Sequence, residues 1–122
     1  VDLVTLEIPG TPPSYNRTAH AHWTVNRKVK QDWQRDCGTA LMLAQVPRGL
    51  EAVRATARLF FRQRRRRDEG NFRVILEKAL GDALTGGGWI PDDTPDHYRF
   101  GAVELCAPAS VAMTIVTLEL ER

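Results

Sequence analysis

The sequence predicts an α+β domain in which two long helices are set among short strands. Residues 53–62 alternate between apolar and polar side chains. Two other segments repeat apolar residues at helical spacing, and proline or glycine separates the elements. With 122 residues the chain is a single domain, 1–122, long enough for one modest core and too short for two.

The elements follow in order. Asp2 to Ile8 sets Val4, Leu6 and Ile8 against Leu3, Thr5 and Glu7, a first strand stopped by Pro9 and Gly10. A loop, Thr11-Pro12-Pro13-Ser14-Tyr15-Asn16, leads into a polar stretch with His20, His22 and Trp23. From about Asn26 to Val46 the spacing is helical, with Val29, Trp33, Cys37, Ala40, Leu41 and Ala44 on one stripe. Trp33 is expected in the core, whereas Trp23, near Arg27 and Lys28, is open to a contact with nucleic acid. The second strand buries Val53, Ala55, Ala57, Leu59 and Phe61 and turns Arg54, Thr56, Arg58, Phe60 and Arg62 outward. A second helix is expected from about Asn71 to Leu84, ended by Gly86, Gly87 and Gly88. A last strand, around Val111 to Glu121, sets Val116, Leu118 and Leu120 opposite Thr117, Glu119 and Glu121; a half-buried sheet position and a dimer edge both suit it.

Composition narrows the function classes. The chain is 43% hydrophobic and 26% charged, with a net charge of +2. No apolar stretch approaches the roughly 20 residues that cross a bilayer, and Val1-Asp2-Leu3 has neither the basic flank nor the apolar centre of a leader, so a soluble cytoplasmic protein with no membrane partner is expected. Cys37 and Cys106 lack CxxC spacing and read as core thiols. His20 and His22 lack the remainder of a zinc signature and read as loop residues.

Charge position says more than charge total. Arg62, Arg64, Arg65, Arg66 and Arg67 run straight into Asp68 and Glu69. Such a run is ordinarily a solvated face. Following an arginine-bearing strand, it also suits successive backbone phosphates, which it would hold by charge without reading sequence. On the second helix, Asn71, Lys78 and Asp82 fall within roughly 40° at 100° per residue. An i,i+4 ion pair would account for Lys78 and Asp82, and so would a shared site. Further on, Trp89-Ile90-Pro91 delivers Asp92 and Asp93 into a proline-bounded turn. Turns favour aspartate, and adjacent carboxylates also suit magnesium, which takes one or two of them and completes its shell with water and phosphate oxygens.

Phosphodiester hydrolysis needs charge neutralised on the phosphate, a deprotonated water in line and help for the departing oxygen. The residues suggest Asp68 and Asp93 as metal ligands, Asp92 sharing the metal, and Lys78 stabilising charge on the phosphate. Asp82 is placed to support them.

The series Arg64-Arg65-Arg66-Arg67-Asp68, Asn71, Lys78, Asp82-Ala83-Leu84, Gly88-Trp89 and Asp92-Asp93 resembles the RusA-like Holliday junction resolvases, and Pro12-Pro13-Ser14 with Asn16 resembles that family's N-terminal segment. The resemblance runs from the first loop to about Arg99. It implies a mixed sheet with two main helices in the order β-α-β-α-β-β and a homodimer. It also implies a Mg²⁺-dependent or Mn²⁺-dependent endonuclease that nicks four-way DNA junctions symmetrically, in recombination and repair, often carried by phages. Asp68, Asp93 and Lys78 match its catalytic positions, and Asn16 and Asn71 its conserved asparagines on the DNA side. Two departures stand out. Gly70 occupies the place of the motif's second aspartate, leaving Glu69 to substitute as a ligand. The Asn71 to Lys78 interval is about four residues longer than the family's, close to one turn or about 6 Å. A relative that binds branched DNA without cutting it, and a module whose arginines bind an acidic protein, remain as alternatives.

Overall fold

Strand β2 (Ala52–Phe60) is the spine of the molecule, buried at every second residue, with β4 (Met113–Glu121) antiparallel on one side and β3 (Tyr98–Cys106) parallel on the other. In this computed structural model residues 2–19 and 21–122 are described; Val1 and His20, the latter one of the two histidines weighed above, lie outside them. Strand β1 (Asp2–Pro9) completes a four-stranded mixed sheet in the order β1-β4-β2-β3. Among the described residues three helices accompany it: α1 (Tyr15–Ala19), α2 (Trp23–Leu43) and α3 (Glu69–Gly86). The expected α+β class with a mixed sheet is found. The two long helices and four strands follow one another as β-α-β-α-β-β, and the short α1 is an addition to the two helices anticipated.

Helices α2 and α3 pack on each other and on one face of the sheet, α2 over the β1 side and α3 over the β3 side. Their apolar stripes meet Leu6, Ala55, Leu59, Val116 and Leu118, each at most 1% exposed. Trp33 packs against this core as expected, and Trp23 is 64% exposed. Cys37 is buried in it, and burial, then the Asp36 charge, pushes its thiol pKa up to about 12. Cys106, expected in the core as well, is only partly buried, because it sits at the end of β3 with its side chain on the face that no helix covers.

The placement of β4 corrects one expectation. Alternate residues are buried along it as read from the sequence, but it pairs with both β1 and β2 and is an interior strand, so it offers no edge to a second subunit. The edges are β1 and β3.

Local chemistry sets the helix ends. Helix α2 starts about three residues before the expected Asn26 because the His22 ring nitrogen Nδ1 accepts from the Thr24 N–H at 3.2 Å. Helix α3 starts at Glu69 because Asp68 Oδ1 accepts from Gly70 N at 3.0 Å, and Glu69 suits the positive end of the helix dipole. At the other end Gly88 takes a φ of 77°, open to glycine at little cost, and the Trp89 N–H returns to Leu84 O at 2.9 Å. Trp89 folds over Gly87 so closely that a Cβ there would lie 2.1 Å from the ring. Its indole N–H donates to Val46 O at 2.9 Å, and the Arg48 guanidinium lies 4.2 Å from its ring centre. This joint fixes where the chain leaves α3 and hence where Asp92 and Asp93 emerge. Among the described residues no helix is long and apolar enough to cross a membrane.

Candidate nucleic-acid and metal site

Beyond β2 the arginine run forms an irregular loop whose conformation depends on one of its own members. Arg67 lies over the Phe61 ring at 3.9 Å and donates to Gln63 O at 3.0 Å and Arg65 O at 3.4 Å. Its pKa is lowered by desolvation and then by the charge of Arg65. Arg67 therefore organises the loop, and Arg64, Arg65 and Arg66 are exposed around it.

The loop closes one wall of a cleft of about 520 Å³ at the start of α3. Arg17 of α1, Arg65, Arg66, Arg67, Asp68 and Asn71 line it. Four guanidinium groups against one carboxylate leave the cleft strongly cationic, and guanidinium forks match phosphate oxygens two at a time. Arg62 lines a different depression, with Gln63 and Ser110. Arg64 and Asn16 are not in the cleft wall, although both belong to segments that border it.

The second cluster lies further along α3. Lys78 Nζ stands 3.0 Å from Asp82 Oδ1 and 3.6 Å from Asp93 Oδ2. Asp82 first and Asp93 second raise the Lys78 pKa, keeping its ammonium charged. Gly81 lets the start of β3 lie close against α3: a Cβ there would meet the Tyr98 ring at 2.9 Å, whereas Asp93 Cβ, at 3.4 Å, would be in ordinary contact. Tyr98, buried between them, donates its hydroxyl to Glu77 O at 2.7 Å and so clamps the start of β3 onto α3.

The expected four-carboxylate metal set is not gathered in one place. Asp68 caps the start of α3 whereas Asp93 lies beside Gly81, thirteen residues on, so about 20 Å of helix axis separates them. Glu69 is 3.6 Å from Arg73 at the same far end. Asp92 turns into its own loop, where Oδ1 accepts from the Thr94 N–H at 2.9 Å and the Thr94 hydroxyl at 2.5 Å, which lowers its pKa. What comes together is Lys78, Asp82 and Asp93, with Asp82 a full member. No protein-family model matches the chain, and no curated protein matches it in sequence.

The two carboxylates share the Lys78 ammonium, and one or two carboxylates are all that a hydrated magnesium ion needs. Among the described residues no three His, Cys, Asp or Glu side chains gather as a cage, so a cation here would keep most of its water and remain open to a phosphate. His22 Nδ1 is taken up by the helix cap.

The outward face of β2 differs from the basic stripe expected of it. Arg54 is flanked by Glu119 of β4 and Arg99 of β3, and Arg58 by Ile115 and Glu104. Neighbouring strands thus interleave acids with the arginines, and the concentrated positive charge lies in the cleft.

Three contributors escaped the reading of the sequence. Arg17 stands next to Asn16 in the proline-rich segment, and that proximity was its only signal. Arg73 reaches across to donate to Phe100 O and ties α3 to β3. Gly81 gives no pattern at all. Its replacement by alanine forces the Tyr98 ring to shift; we expect a loss of about 1–3 kcal/mol in urea unfolding and, as the joint that carries Asp93 gives way, a Lys78 pKa, read by NMR, nearer its ordinary value. An unchanged Lys78 pKa would show that Asp93 does not depend on this close approach.

Proposed function

We propose that the chain is a RusA-like, Mg²⁺-dependent DNA endonuclease that cuts four-way junctions as a homodimer in recombination and repair in the cytoplasm, with its chemistry at Asp82, Lys78 and Asp93. The observation that carries this reading is the alignment of the cationic cleft and the Lys78 cluster along α3: Asn71 and Lys78 share one face, two turns or about 10 Å apart. A strand held by its phosphates at Arg17, Arg65 and Arg66 would run along that face and bring a later phosphate to Lys78.

Asp82 and Asp93 would hold the magnesium ion, which supplies charge neutralisation and an activated water. Lys78 faces the same point and lies within reach of the phosphate's non-bridging oxygens, where its fixed positive charge favours the more negative transition state. Asp68, at the far end of the helix, belongs to the cleft and its cap.

A second reading is supported by the distance between Asp68 and Asp93 and by the ion pairs that already occupy both carboxylates of the cluster: a protein that holds branched DNA without cutting it. A labelled mobile junction and a matched duplex, incubated with Mg²⁺ or EDTA, separate the two. Paired metal-dependent nicks near the crossover are expected. Binding whose logarithmic salt slope is about −3, as three phosphate contacts give, without scission would establish the second reading. Absence of both binding and scission would dismiss either.

A further inference from the structure

We infer that the first half of α2 carries a separate site for an unpaired DNA strand, in which a base stacks on Trp23 while Arg27 and Lys30 hold the phosphates beside it. The site takes the nucleic-acid substrate of the proposed function as given, and it lies outside both the cleft and the Lys78 cluster.

Helical geometry puts these side chains in one row. At 100° and 1.5 Å per residue, Trp23, Arg27, Lys30 and Gln34 fall within about 60° of one another along roughly 16 Å of axis. All four are exposed. The acids of the helix, Asp32 and Asp36, lie on the opposite side, where they pair with Lys28 and Arg35 at 3.2–3.5 Å. Lys28, close to Trp23 in sequence, is thereby turned away and neutralised, and Lys30 takes its place. Among the described residues no carboxylate lies within ion-pair distance of Arg27 or Lys30, so the row keeps both positive charges.

Trp23 does not pack as the other tryptophans do. Trp33 lies against the core and Trp89 is 3% exposed, whereas Trp23 leaves 64% of its surface in water. A base offers such a ring a flat partner, and because every base has one, stacking between cations holds a strand without reading its sequence. In a duplex those faces are covered by neighbouring base pairs. The row therefore favours a strand that has lost its partner, as at the crossover of a branched molecule. A membrane surface fits less well, since an interfacial helix buries a broad apolar face and here one ring stands among cations and a glutamine; Val25, the other exposed apolar residue of this half, lies on the far side. The row also continues the cleft. Helix α1 brings Arg17 into the cleft wall, packs against both α2 and α3, and ends three residues before Trp23. A strand leaving the cleft past Arg17 would come to Trp23 next.

The test needs neither magnesium nor a junction. The full chain is titrated at low salt with an oligothymidylate of about twelve nucleotides, within the usual span of single-strand sites, with a linear duplex, and with phosphatidylglycerol vesicles, while tryptophan emission and the anisotropy of labelled DNA are followed. Trp89 is buried and Trp33 packed, so quenching reports Trp23. Oligothymidylate should quench well above duplex. Trp23→Leu should abolish the quenching and lower the ratio of oligothymidylate to duplex affinity about tenfold, as one stacked base supplies, and Trp23→Phe, which keeps a ring, should recover most of that ratio. Arg27→Ala with Lys30→Ala should reduce the logarithmic salt slope of oligothymidylate binding by about 1.4, at about 0.7 for each phosphate. These positions are exposed, and unchanged circular dichroism guards against a folding defect. Oligothymidylate that binds without quenching, or an affinity ratio unmoved by Trp23→Leu, overturns the inference and leaves the proposed function standing. Quenching by the vesicles alone assigns the row to a lipid surface and also overturns it. Quenching as expected with junctions left uncut keeps this site and removes the proposed nuclease, and failure to bind any DNA removes both.

Discussion

Asp93→Asn should reduce junction cleavage by two to three orders of magnitude and leave junction binding unchanged or slightly tighter. The substitution keeps the shape of the side chain and removes its charge. Of the two carboxylates that face Lys78, one is lost, and a cation that had two anionic ligands keeps one. Losing about 3–4 kcal/mol of transition-state stabilisation corresponds to that factor. Binding should hold because the cleft that grips phosphate lies elsewhere on α3, and removing a negative charge near the strand favours a polyanion. Asp68→Asn is the contrast. It should cost about 1 kcal/mol of helix capping or less and change cleavage by a few-fold only. Equal losses for the two would return Asp68 to the chemistry; an active Asp93→Asn would remove the Lys78 cluster from it.

Trp89→Ala should cost about 3–5 kcal/mol, measured by urea unfolding. Domains of this kind hold about 5–15 kcal/mol in all, so about a fifth or more of the stability would go. The ring is 3% exposed, covers Gly87 and lies under Arg48, and its N–H satisfies Val46 O. Alanine empties that space and strands a buried carbonyl. Trp89→Phe keeps most of the contact area and should lose about 1 kcal/mol, the net worth of a hydrogen bond. A cost below about 1 kcal/mol for alanine would mean that the joint after α3 is not held by the indole.

The sequence was most legible where one periodicity ran without interruption. Strand β2 and strand β4 bury every second residue along most of their length, and on α3 the positions expected to be apolar, Ile75, Leu76, Ala79 and Ala83, are buried. Strand β3 was hard to place because its period breaks: Phe100 pairs with Ala55 and Val103 with Ala57, so a bulge at Gly101 and Ala102 shifts the pattern by one. Helix α1 is too short to show a stripe. In the site, the rotation of Lys78 and Asp82 about α3 followed from helical spacing. The grouping of Asp68 with Asp93 did not, because motif order carries no information about how far a helix transports the chain. Asp92 was misplaced for a local reason, the competing Thr94 donors two residues on.

Because α3 carries both Asn71 of the cationic cleft and Lys78 of the cluster, the interval between anchor and reaction point comes in whole turns. One residue more would swing Lys78 by about 100° away from the strand, while a full turn would return it to nearly the same side and about 5.4 Å further on. A nucleic-acid strand advances about 3.4 Å per nucleotide, so each added turn corresponds to one or two nucleotides. On the proposed reading, helix length acts as a gauge for the cut: a relative one turn shorter would grip DNA in the same way and break it one or two phosphates nearer the grip.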